Sequence, residues 1–456
     1  MKKIAIIFFP ILVITSQEIP QDFYEFEIQK LQSNIIENWS KNTIFGPSRI
    51  VHKDRKSDSL DFRAQLGFNI FDSKKALYAH SHFTFIKNYK GYFYSRIVDK
   101  PDDFPRFSGI QRDIKRGGFV SGETDISGIS FENDWMIMQF GRGRQSWGAG
   151  NDIQLVLSEE SNAYDYGMLD LDFGNLRARY FHGYLETDSV AINRYITGRG
   201  IEWSNQKNLI IGLSEIVIYS GKNRAIDFSY LNPISTHLEI ELNGRPNHEG
   251  TDSGNGVWQL SVDAISSKNF RLSANLVLDE FSIDRSQKDN GKSSANAFSL
   301  KCNYVSNFTS NTLISIYSSI VQVGTYTFRH ESGSNNFVQR DKPIGWYQGS
   351  DVRDIRFGMN CFNMEKFNFS FNFGKLIIGE NNLVSNPYDP YDHYKVTPFP
   401  SGVVENVSYF TGNLRWLIRK NLSIISYFEF NNSNLSKNFT KGALGIDYYY
   451  KIKKNL

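Results

Sequence analysis

From about residue 59 the chain alternates apolar and polar residues with a period of two. In Leu60–Ile70, Leu60, Phe62, Ala64, Leu66, Phe68 and Ile70 share one face, and Asp61, Arg63, Gln65, Gly67 and Asn69 share the other. Successive side chains of a strand point to opposite faces, so the pattern predicts a strand with one greasy and one polar side. It returns along the chain. Phe270, Leu272, Ala274, Leu276 and Leu278 oppose Arg271, Ser273, Asn275 and Asp279. Phe298, Leu300, Cys302 and Tyr304 oppose Ser299, Lys301 and Asn303. Ile355, Phe357, Met359 and Cys361 oppose Arg356, Gly358 and Asn360, and Phe367, Phe369, Phe371 and Phe373 oppose Asn368, Ser370 and Asn372. Leu444, Ile446, Tyr448 and Tyr450 oppose Gly445 and Asp447. Residues 134–256 alternate less cleanly.

Two architectures produce such alternation. A soluble sandwich buries the apolar face against a second sheet. A membrane barrel turns that face to lipid and keeps the polar face inward. The segments run to about ten residues, which suits a tilted span of a bilayer, whereas soluble strands average about five or six. Arg and Lys stand in mid-strand on the polar faces, as a wet lumen allows. Connectors alternate between tight, as at Ser73-Lys74 and Ser266-Ser267-Lys268-Asn269, and long, as at 99–123, 221–255, 284–294, 327–350 and 380–402. The expectation is an all-β fold: a transmembrane antiparallel up-and-down barrel of about 16–18 strands, spanning residues 59–456.

The N-terminus follows other rules. Lys2 and Lys3 precede the apolar run Ile4–Ile14, and Thr15 and Ser16 follow it. This reads as a signal peptide over residues 1–16. Residues 17–58 form an N-terminal, periplasmic segment. Within it Phe23, Phe26, Ile28, Leu31, Ile35 and Ile36 fall at helical spacing and predict a short amphipathic helix. That helix plugs the lumen, lies on the periplasmic side, or packs on the first strands. An exported chain of this kind belongs in the outer membrane of a Gram-negative-type bacterium.

Composition sharpens the picture only in places. With 36 Phe, 24 Tyr and 7 Trp, aromatics reach 15%. They favour strands and the boundary between lipid and water. The net charge of +3 argues against a nucleic-acid partner. Two cysteines, Cys302 and Cys361, are too few for a disulfide framework and sit on apolar strand faces.

Candidate chemistry is sparse. His80 and His82 share a strand face, but no carboxylate or cysteine cluster joins them at metal-binding spacing, so they read as polar filler. No nucleophile elbow, phosphate loop or zinc helix is present, so no catalysis, cofactor or metal is expected. Loop 380–402 differs: it carries Tyr388, Tyr391 and Tyr394 beside Asp389 and Asp392. Aromatic rings stack on the C–H faces of sugars, and polar side chains bond their hydroxyls. A loop folded over a barrel mouth, packing its own aromatics, would use the same residues.

In the middle of the chain, Gly141-Arg142-Gly143-Arg144-Gln145-Ser146-Trp147-Gly148-Ala149-Gly150 leads into Leu155-Val156-Leu157-Ser158. This run is similar to the WGxG turn and LxLS segment of the Wzi family of outer-membrane capsule assembly proteins, which the middle of the chain resembles. Asn162-Ala163-Tyr164-Asp165, Tyr195–Trp203, Gly212–Tyr219 (GLSEIVIY), Tyr230-Leu231-Asn232-Pro233 and Leu276–Glu280 follow in the family's order. The likeness covers roughly residues 120–285. Two departures stand out: Arg199-Gly200 where the family usually shows His-Arg, and Asp252-Ser253-Gly254-Asn255 where it shows an Asp-Asn pair. The resemblance implies a non-catalytic, monomeric barrel that binds or anchors capsular or exported polysaccharide at the cell surface, among outer-membrane lipids. Arg142, Arg144 and Trp147 are then candidates for sugar contact or for holding that turn. A diffusive porin for small solutes is the alternative, suggested by Arg63, Arg271, Lys301 and Arg356 on the polar face.

Overall fold

A computed structural model describes residues 43–46, 59–71, 74–86, 89–100, 112–113, 115–245, 254–280, 289, 295–363, 366–391, 397–419 and 421–455. The signal peptide, the helix expected over 22–38 and Tyr394 lie outside the described residues.

The strands are β1 (Ser59–Phe71), β2 (Lys74–Ile86), β3 (Tyr89–Val98), β4 (Ser121–Glu132), β5 (Met136–Gly143), β6 (Tyr164–Asp172), β7 (Leu176–Thr187), β8 (Ile192–Ser204), β9 (Leu209–Lys222), β10 (Asn255–Ser267), β11 (Phe270–Glu280), β12 (Ala295–Thr309), β13 (Thr312–Val323), β14 (Val338–Gln339), β15 (Lys342–Pro343), β16 (Val352–Asn363), β17 (Phe367–Ile378), β18 (Glu405–Arg419), β19 (Leu422–Ser433) and β20 (Phe439–Asn455). One short helix, α1 (His237–Leu242), lies between β9 and β10. Eighteen strands form one sheet, and β14 and β15 form a small separate hairpin. Each of the eighteen pairs antiparallel with the next in the chain, β13 meeting β16 across the hairpin. β1 pairs with β2, and also with β20 from Ser59↔Asn455 to Phe71↔Ala443. The pairings therefore return to the first strand, which is how an up-and-down barrel removes its edges.

The outer face keeps the sequence's apolar residues exposed. Ile201, Leu213, Leu260, Leu276, Phe357, Phe373, Phe410, Leu414, Phe428 and Leu444 all present large side chains there. Near the short turns the exposed residues become aromatic: Trp135, Phe173, Trp203, Phe270, Tyr304 and Trp416. Trp135 stacks on Phe173 at 6.4 Å, and Phe270 meets Tyr304 edge-on at 5.4 Å. Such a girdle is what an apolar band needs where lipid meets water. At the other end of the strands lie the longer connections: 144–163 after β5, 223–254 after β9, 324–351 after β13 and 379–404 after β17.

The core sits inside the barrel. The β5–β6 connection folds into the lumen, where Trp147, Ile153, Leu155, Val156 and Leu157 are fully buried. Ile44 and Phe45 join them. They fit because β8 and β9 carry glycine on the inward face. A Cβ on Gly212 would lie 1.8 Å from Ile44 Cδ1, and one on Gly200 would lie 2.7 Å from Phe45 Cε1. β2 places His80 and His82 two apart, opposite Gln65 and Arg63 of β1. Their side chains, and that of Arg63, lie outside the described residues.

Candidate functional site

At the long-loop end, three connections meet over the rim. Glu186 of β7 is the fastening point. Its Oε1 pairs with Arg194 Nη1 of β8 at 2.5 Å and accepts the Tyr388 hydroxyl at 3.0 Å. Its Oε2 accepts the backbone N–H of Arg340, at the tip of the β14–β15 hairpin, at 3.0 Å. Arg340 and Asp341 both have positive φ, 48° and 64°, as a tight turn between two short antiparallel strands requires. The Arg194 guanidinium lies over the Tyr388 ring at 5.3 Å and donates to the carbonyls of Ser334 and Asn336. Burial pushes the Tyr388 hydroxyl up to about 12, so it stays protonated and donates to Glu186. The ring remains partly exposed, as do Arg340 and Asp341. An aromatic face beside a cation, a carboxylate and open backbone turns can stack on a sugar and bond its hydroxyls.

The other predicted residues fall elsewhere. Tyr391 is buried, packs on Tyr326 at 4.6 Å and donates its backbone N–H to the His330 carbonyl. Arg142 sits on the outward face near the rim, 3.4 Å from Asp165. Arg144 is buried and donates from Nε to the Ser161 carbonyl at 2.5 Å. Trp147 is buried between Phe45 and Phe181, with ring centroids at 4.9 and 5.3 Å. Its indole N–H donates to Gln145 Oε1 at 3.1 Å. Arg144 and Trp147 thus hold the lumen loop in this structure, and Tyr388 stands apart from them at the mouth.

The lumen cations differ from the expectation of a wet wall. Arg271 is buried and pairs with Asp263 at 2.6 Å. Lys301 is buried and donates to Asp152 of the lumen loop at 2.6 Å. Arg356 pairs with Asp354 at 2.8 Å, and Tyr409 donates to the same carboxylate at 2.7 Å. Arg177 and Arg179 both bind Asp170 at 2.5 Å. Charges in low dielectric need such partners. The inserted loop excludes water from this sector, which the strand pattern alone could not reveal. Arg194, Glu186 and Arg340 were missed as mouth residues. The only sequence signal was a pair of charges at the ends of neighbouring strands. Among the described residues no group of His, Cys, Asp or Glu forms a metal cage.

No protein-family model matches this chain, and no curated protein matches it by sequence. Solved structures do. An outer-membrane protein of Escherichia coli, Wzi, described as a carbohydrate-binding β-barrel involved in group 1 capsule assembly, superposes with a TM-score of 0.61. The two share 12% identity over 86% of this chain and 84% of that one. The fold is that of an outer-membrane β-barrel. OprD of Pseudomonas aeruginosa also aligns, at 10% identity and a TM-score of 0.48, over 88% of this chain and 97% of that one. OpdK from the same organism gives 7% and 0.49, over 87% and 100%.

Proposed function

We propose that this barrel sits in the outer membrane and binds or anchors capsular or exported polysaccharide at the cell surface, without catalysing a reaction. The carrying observation is the mouth cluster of Tyr388, Arg340, Asp341 and Glu186, built on loops that fold over an occupied sector of the lumen. The likeness in fold to a carbohydrate-binding barrel supports the same reading. Tyr388 is the leading sugar contact. Tyr391 and Tyr394 belong to the same loop, Arg142 lies at the rim, and Arg144 and Trp147 act by holding the lumen loop.

Deleting the gene and measuring polysaccharide on cells and in the medium tests the proposal. Material shifts from the surface to the medium if it holds, and unchanged retention overturns it. A diffusive porin is the second reading, favoured by one observation: on β18 the inward-facing Asn413 remains exposed. Planar-bilayer recording separates the two, because a porin conducts steadily and a loop-filled barrel does not.

A further inference from the structure

We infer that the β9–β10 connection folds down the outside of the barrel and presents its own apolar face to the acyl chains of the membrane. The inference rests on the barrel fold and not on the polysaccharide reading.

The wall beneath this connection is unlike the rest of the outer face. Arg199 of β8 is in phase with the exposed Ile201 and Trp203, so it points outward. Its direct cross-strand partner is Glu215 of β9, in phase with the exposed Ile211 and Leu213. Both are nonetheless buried, at 8% and 1% exposure. Their ion pair measures 3.4 Å. The depth is decisive. Trp203 belongs to the aromatic girdle, and Arg199 stands four residues earlier on β8, toward the long-loop end. A strand rising about 3.3 Å per residue and tilted about 40° puts Arg199 about 10 Å beyond the girdle, inside an apolar band about 25 Å tall. A bare ion pair facing lipid there would be costly.

The connection supplies the cover. The Glu215 carboxylate accepts the backbone N–H of His237, the first residue of α1, at 3.0 and 3.1 Å. Tyr230 stacks on Tyr219 of β9 at 4.4 Å, and Tyr219 stacks on Tyr195 of β8 at 5.1 Å. Tyr180 of β7 donates to the Tyr230 carbonyl at 3.0 Å, and His182 and the Tyr219 hydroxyl lie 2.7 Å apart. Arg224 pairs with Asp227 within the connection at 2.8 Å, and Ile240 of α1 is fully buried. His237 sits close because β10 has glycine beneath it: a Cβ on Gly256 would lie 2.4 Å from the imidazole Cδ2.

The outer side of the connection leaves large apolar side chains uncovered, beside the exposed Asn232 and Asn243 and a solvent-side Arg245–Glu239 pair at 2.9 Å. Phe228, Ile234 and Leu242 are 75%, 85% and 79% exposed, with Ile226 and Leu238 beside them. The first turn of α1 lies at the depth of the ion pair, because the His237 N–H is bonded to Glu215. Lipid chains are the occupant that both facts select.

Nitroxide labels on single cysteines test this in the full-length protein in bilayer nanodiscs. Labels go on I234C, L238C and L242C, with Cys302 and Cys361 replaced by alanine. L213C serves as a wall control and V403C as an exposed-loop control. Oxygen and a water-soluble nickel chelate report accessibility. The expected result is at least severalfold greater oxygen than nickel accessibility at all three positions, matching L213C. Labels that behave like V403C, while L213C remains oxygen-accessible, overturn the inference. A nickel-accessible L213C would instead sink the membrane barrel itself.

Discussion

Asn275 of β11 holds the lumen loop by mimicking a strand. Its Oδ1 accepts the Ala149 N–H at 2.7 Å, and its Nδ2 donates to the Ala149 carbonyl at 2.8 Å. Asn275→Leu leaves both backbone groups buried without these partners, at about 1–3 kcal/mol each. The variant is expected to unfold at lower urea and to show frequent conducting events in planar bilayers, as the loop leaves the lumen. A wild-type midpoint and a silent trace would show that the loop is held otherwise.

Asp263 and Arg271 form a buried bidentate pair, with Ser273 donating to the same carboxylate. Asp263→Ala strands a guanidinium inside the barrel and should cost about 3–5 kcal/mol. The double change Asp263→Leu with Arg271→Leu removes both charges and should recover most of that loss. Heat-dependent gel mobility of the folded barrel reads both outcomes. Equal losses in the single and double variants would refute a charge-pairing role.

Tyr388 offers both a ring and a hydroxyl at the mouth. An aromatic contact contributes about 0.5–1.5 kcal/mol beyond burial. Tyr388→Ala should weaken binding to purified polysaccharide by about two- to tenfold, and Tyr388→Phe should keep the ring's share while losing the bond to Glu186. Interferometry on immobilised barrel measures both. Equal affinities for wild type and Tyr388→Ala would remove Tyr388 from the site.

The strands were legible in the sequence because lipid imposes one rule on every outward position. The blurred alternation over 134–256 has two physical sources. Strands β7 to β9 carry Tyr180, His182, Arg199 and Glu215 outward because the β9–β10 connection covers them: its Tyr230 carbonyl and His237 N–H partner Tyr180 and Glu215, while His182 and Arg199 pair with Tyr219 and Glu215 of β9. The run Leu155-Val156-Leu157 is apolar because it fills the lumen, and no strand period marks it. Both are contacts between segments far apart in the chain, which a local period cannot report. For the same reason Arg144 and Trp147 stood out as motif residues while their burial stayed hidden. Tyr388 was legible as an aromatic loop residue, but its anchor Glu186, 202 positions earlier, was not.

The central claim is that the mouth of this barrel holds a polysaccharide. Binding of the producing cell's own surface polysaccharide to the purified barrel in nanodiscs tests it most directly. Saturable binding that Tyr388→Ala weakens, on a barrel that stays electrically silent, is the expected result. A barrel that conducts steadily and shows no saturable binding to that polysaccharide would contradict it.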